Sequence, residues 1–245
     1  MKRHARFAVL CASLALVAGL GTALAVQGGS DDEPRISFAN SSDSYPAATP
    51  IDWVTYADHV VVVTPVEEKD REVPADERER GEGTVLRDLK LQVNDVLWSS
   101  PKPAQPAPTE ISWIAWGSEF KNGDVDKRIK LAARNNSRVE LGHTYVIPIV
   151  WEEERCSEGD PRQPARWNAL GGSAVIPFDG GTLGQGESEG SVFTVSEAHE
   201  KAKSNHAEKT FKGMMVGKKD ADLIAELKAA SPAERKKLRP DAPCK

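Results

Sequence analysis

Cysteine is scarce in this chain. There are three in 245 residues, and only Cys156 and Cys244 lie beyond residue 26. One disulfide is therefore the most that this part of the chain can build within itself, which excludes a multiply bridged miniprotein. Positive charge is also in deficit: 32 Lys and Arg stand against 37 Asp and Glu, a formal net charge of -5. Phosphate backbones demand a basic surface, so nucleic acid is excluded as a partner. No regular helical pattern alternates with the strand patterns, which argues against a βαβ architecture. Hydrophobic residues make up 39% and charged residues 28%, enough for one core under a well-solvated surface.

What is present begins at the N-terminus. Lys2, Arg3 and Arg6 precede an uncharged run from Phe7 to Val26, and Asp31, Asp32 and Glu33 follow it. This layout is that of an export signal, and the positive-inside rule puts the remainder outside the membrane. Ala23-Leu24-Ala25 is a small-residue cleavage site. The 20 uncharged residues are also just long enough for an uncleaved anchor. The expectation is an extracytoplasmic protein, secreted or anchored, with membrane contact only through residues 7–26. Outside the membrane Cys156 and Cys244 read as a disulfide. Its loop of nearly 90 residues would stabilise the fold by roughly 4–5 kcal/mol.

The expected organisation is a signal or anchor over 1–25, a tether over 26–48, a β-domain over 49–195 and a helical tail over 196–245. Thr49-Pro50-Ile51-Asp52 has the N-cap, proline and acid that open a helix, predicted to run to about Ala57. His59 to Val66 is a β-branched run and reads as a buried strand. The charged stretch 67–82 reads as a solvated hairpin loop, and Leu89, Leu91 and Val93 alternate as a half-buried strand. Further strands are expected at Ile111–Trp116, in a hairpin around Asn135-Asn136, at His143–Trp151 with an edge or bulge at Pro148, at Trp167–Phe178 and at Val192–Val195. The tail should hold three helices, starting at Thr194, Asp220 and Ser231. Seven or so short strands predict a mainly β fold: an antiparallel OB-like barrel or small sandwich with a short N-terminal helix and a C-terminal helical tail.

Three segments carry a resemblance: Ala57-Asp58-His59-Val60-Val61-Val62-Val63, Leu91-Gln92-Val93-Asn94-Asp95-Val96-Leu97 and Gly142-His143-Thr144-Tyr145-Val146-Ile147. Over residues 51–180 the pattern resembles small exported OB-like barrel proteins of Gram-positive bacteria that have no assigned activity. The resemblance implies a barrel and carries over no catalytic residue.

The candidate chemistry is sparse. Gly186-Glu187-Ser188-Glu189-Gly190 matches G-x-S-x-G but has no strand feeding it and no helix directly after it, so a flexible turn is expected. His199 and His206 are seven apart, about 10 Å along a helix and too far for one ion. Asn122, Asp124 and Asp126 alternate like calcium ligands, but Lys127 and Arg128 follow them. Glu152-Glu153-Glu154 reads as solvated loop. A hydrolase would need His59 or His143 in a cleft beside an acid. Trp113 and Trp116 have opposite parity on one strand, so only one can face the core, and the other is a candidate ligand contact. The reading is a binding module without catalytic, metal or cofactor residues, whose partner is an envelope component or an extracellular protein. A secreted hydrolase or enzyme inhibitor, and a structural surface protein, are the alternatives.

Overall fold

The computed structural model describes residues 35–156 and 162–238. The export run 7–26, its cleavage site and Cys244 lie outside the described residues. The elements in chain order are β1 (Ile36–Ala39), α1 (Pro50–Tyr56), β2 (His59–Asp70), α2 (Ala75–Arg80), β3 (Gly83–Ser99), β4 (Glu110–Phe120), β5 (Arg128–Ala133), β6 (Tyr145–Glu152), β7 (Arg166–Ala169) and β8 (Ile176–Pro177). They continue with β9 (Gly186–Ser188), β10 (Ser191–Phe193), α3 (Val195–Ser204), α4 (Phe211–Met215) and α5 (Asp220–Ala229).

The fold is mainly β. One sheet runs β1-β5-β4-β3-β2-β6-β7, with β8 also paired to β6, and β9–β10 form a separate ribbon. β1 lies parallel to β5, whereas the other pairs are antiparallel. The strand path is open at both ends, so in place of the expected antiparallel OB-like barrel or small sandwich the described residues form an open mixed sheet. The sheet is still strongly shaped. β2 breaks register against β3 between Val60 and Val61, Val62 and Val63, and Pro65 and Glu67. Bulges of this kind bend and twist a strand pair.

The valine run of β2 is apolar throughout because both of its faces are buried. Val60 and Val62 face a core with Trp53 and Val54 of α1, Phe211 of α4, and Leu223 and Leu227 of α5. Val61 and Val63 face a second core with Leu91, Ile111, Tyr145, Ile147 and Ile149, all contributed by the sheet itself. α1 is held by the expected box: Thr49 Oγ1 accepts from Asp52 N at 3.1 Å, and Asp52 Oδ2 accepts from Thr49 N at 2.9 Å. Thr194 and Glu197 build the same device on α3.

Several expectations need correction. The tether over 26–48 carries β1, and Ala47 is buried in the first core, where its carbonyl accepts from Trp53 Nε1 at 3.0 Å. The charged stretch 67–82 holds the end of β2 and the exposed helix α2, not a bare loop. Arg138–Glu140 is not a strand, so the hairpin at Asn135-Asn136 is absent; β5 pairs with β4 and β1. Pro148 lies in an inner strand, between the stretch of β6 that pairs with β8 and the stretch that pairs with β7. Its missing N–H therefore falls where one neighbour replaces another. The third tail helix does not form. Residues 231–238 run as an extended strap beside α1, where Ala233 N donates to Thr55 Oγ1 at 2.8 Å and Arg235 Nη2 to the Tyr56 carbonyl at 3.2 Å. No helix among the described residues is long and apolar enough to cross a membrane.

Candidate functional site

Strand parity sends three tryptophans to one place. On β4, Ile111, Trp113 and Ala115 alternate toward the second core. On β6, Tyr145, Ile147 and Ile149 do the same, and Trp151 is next in that series. β7 pairs with β6 so that Trp167 stands directly opposite Trp151. The two rings meet edge-on, 5.3 Å apart at 68°. With Trp113 they line a cleft of about 1130 Å³ between the β3–β4 side of the sheet and β7. Its volume lies just above the roughly 300–1,000 Å³ of ordinary ligand clefts.

The indoles are held from behind. Trp151 N donates to Asp58 Oδ2 at 2.8 Å, and its Nε1 donates to Glu153 Oε1 at 2.9 Å. Buried His59 lies 5.4 Å from the Trp167 ring. Its Nδ1 bonds Ser99 Oγ at 2.8 Å and its Nε2 faces the Gln105 carbonyl at 2.9 Å, which pins the proline-rich 99–109 connection. Groups fixed on strands in this way keep their geometry before a ligand arrives.

The carboxylates on the rim are paired with cations, while Lys69 and Arg166 also line the cleft. Arg71 bonds Asp88 at 2.9 Å, and Lys90 bonds Glu67 at 2.7 Å with Glu110 at 3.9 Å. Glu67 and Glu110 hold the Lys90 pKa above its ordinary value. Behind the rim, Arg87 is almost fully buried and meets Glu68 at 3.0 Å, the Trp116 carbonyl at 2.8 Å and the Arg138 carbonyl at 2.9 Å. Burial lowers the Arg87 pKa, the nearby Arg138 adds to that, and Glu68 opposes it.

The structure separates the other candidates. Trp116 stands 38% exposed on the face of β4 opposite Trp113, so the two do not share a site. The G-x-S-x-G string forms β9 and the turn that leads into β10, and Glu187 within it is completely buried. Its carboxyl accepts from Arg138 N, Val139 N, Gly190 N and the Tyr145 hydroxyl, so the expected flexible turn is instead a pinned one. α3 ends at Ser204, which leaves exposed His206 outside the helix of His199. Asp124 caps its own turn by accepting from Asp126 N and Lys127 N. Among the described residues no three potential metal ligands come together. Glu152 is buried, not solvated, and accepts from Asn168 at 2.7 Å; Glu153 holds Trp151 and Glu154 pairs with Arg162. His143 does stand beside an acid, Asp179, at 2.6 Å, yet neither residue lines the tryptophan cleft. Cys156 lies just past the Arg155–Gln163 bridge, and its proposed partner Cys244 is outside the described residues.

No family model, curated protein or solved structure matches this chain. Of the cleft residues, the sequence singled out Trp113 alone. Trp151 shares the parity of Tyr145, Ile147 and Ile149, a signal available in the sequence. Trp167 joins them only through the β6–β7 register.

Proposed function

We propose that this protein is an extracytoplasmic, non-enzymatic binding module, and that the cleft of Trp113, Trp151 and Trp167 holds an extended component of the cell envelope. The observation that carries this reading is the convergence of three indoles from three strands on one preformed cleft. Indole faces stack well on the apolar faces of sugar rings and offer large contact at low entropic cost. The rim carboxylates of Glu67, Glu68, Asp88 and Glu110 are matched by Lys90, Arg87 and Arg71, so a cation finds no free carboxylate there, and the stacking surface favours a sugar. A glycan strand meets both requirements. The export layout at residues 1–33 supports the location.

The test is co-sedimentation of the full chain with isolated cell-wall sacculi and, in parallel, with lipid vesicles. Saturable pelleting with sacculi and none with vesicles is the expected result. Absence of pelleting with sacculi would overturn the reading.

A further inference from the structure

A second cavity lies on a different part of the molecule, where residues 43–48, α3 and α4 meet, with a volume of about 770 Å³. Its walls are largely apolar, with Pro46, Ala47, Phe193, Ala198, Ala202 and Val216 among them. Lys212 of α4 reaches into it and donates one hydrogen bond, to the Asn135 carbonyl at 3.1 Å. Exposed His206 also lines it, and the carboxyl groups and Lys201 around it are committed. Lys201 of α3 bonds Glu189 Oε2 at 2.6 Å and sits 4.8 Å over the Phe193 ring. Asp43 receives Ser173 N at 3.1 Å and the Ser173 hydroxyl. Glu187 of β9 is saturated by the four donors already described.

Burial pushes the Lys212 pKa down to about 8, with Lys201 acting in the same direction against Glu187, Glu189 and Asp43. Lys212 is half-buried in this apolar wall, so more of its side chain is the neutral, nucleophilic amine than in a fully solvated lysine. Two lysines face three carboxyl groups here, so an anionic guest is disfavoured, and the apolar walls disfavour any charged guest. An uncharged carbonyl compound suits both the walls and the amine.

We propose that this cavity binds a small, uncharged, apolar aldehyde and that Lys212 Nζ captures it as an imine. The amine lone pair forms the N–C bond while the carbonyl π pair moves to oxygen, which takes a proton from nitrogen. The resulting carbinolamine loses its hydroxyl and the remaining N–H proton as water, leaving the C=N bond. One water leaves for each aldehyde bound, and no oxidant or reductant is consumed.

The probe is hexanal with sodium cyanoborohydride at pH 8 on the full-length protein, read by peptide mass mapping. The hydride donor converts the imine into a stable secondary amine. Lys212 is expected to be labelled at least tenfold faster than the exposed Lys203 and Lys228. Replacing hexanal by glyoxylate, an aldehyde with a charged carboxylate, should abolish that preference. The Lys212→Arg variant should carry no label at this position and leave labelling elsewhere unchanged. Labelling of Lys212 no faster than Lys228, or equal preference for hexanal and glyoxylate, would overturn the proposal. Both readings are made on the unaltered protein, so a misfolded variant cannot obscure them.

Discussion

The Tyr145 hydroxyl donates to Glu187 Oε2 at 2.8 Å and accepts from Glu140 N at 2.9 Å, which joins β6 to the β9–β10 ribbon. The same carboxyl group holds Arg138 N and Val139 N, and Val139 sits at φ 62. A buried β-branched residue in that region is strained and persists only where its surroundings fix it. Burial and Glu187 together raise the Tyr145 pKa, so its hydroxyl stays a donor across the physiological range. Glu187→Gln places an N–H₂ among backbone donors and should destabilise the fold by about 2–4 kcal/mol. Tyr145→Phe should cost about 1–2 kcal/mol. Urea unfolding of both variants checks the order.

His59 should act as a structural pin for the cleft and not as a base. His59→Ala removes both ring contacts from a buried site and should cost about 2–3 kcal/mol. The amide of Ala104, which donates to Asp58 Oδ1 at 3.2 Å, should then exchange faster than in the wild type. Hydrogen exchange followed by mass spectrometry measures it. Unchanged exchange there would mean that the 99–109 connection is held without His59.

Lys212 gives a pH dependence of defined sign. Its pKa falls from 10.5 to about 8 on folding. Between those values the unfolded chain binds more protons, so stability rises with pH there; below about 8 the full penalty is present. Glu187, Glu189, Asp43 and Lys201 are the charges that face it. Lys212→Met should raise the melting temperature at pH 7, and the gap to the wild type should narrow by pH 10. Thermal scans at the two pH values decide it.

The expected Cys156–Cys244 bridge predicts one linked pair in the purified, oxidised full-length protein. Intact mass before and after reduction and alkylation should show it, and two alkylatable thiols in the oxidised sample at these positions would refute it.

Local rules made part of this fold legible. Thr49-Pro50-Ile51-Asp52 carries a complete capping box, and the valines of β2 and the Leu223–Leu227 stripe of α5 announce their burial. Long-range relations did not show. β1 is four residues that pair, among the described residues, with the distant β5. The 67–82 stretch looks solvated in sequence because part of its charge pairs across strands, Lys90 with Glu67 and Arg128 with Asp70 at 2.5 Å, beside the local pair Arg80–Asp76 on α2. Ser231-Pro232-Ala233-Glu234 has a helix-opening pattern, but its Ala233 N–H is taken by the Thr55 hydroxyl of α1. The cleft follows the same division. Parity along β4 reveals that Trp113 and Trp116 part company, while the approach of β7 to β4 and the pairing of Trp167 with Trp151 are properties of the folded sheet.

The most direct test of the binding account compares sacculus pelleting of Trp113→Ala, Trp167→Ala and Trp116→Ala with the wild type, at concentrations spanning saturation. Each cleft substitution should weaken binding about tenfold or more, as loss of a buried aromatic anchor does. Trp116→Ala, on the opposite face, should bind like the wild type. Equal binding by all four folded proteins would contradict the assignment of the cleft.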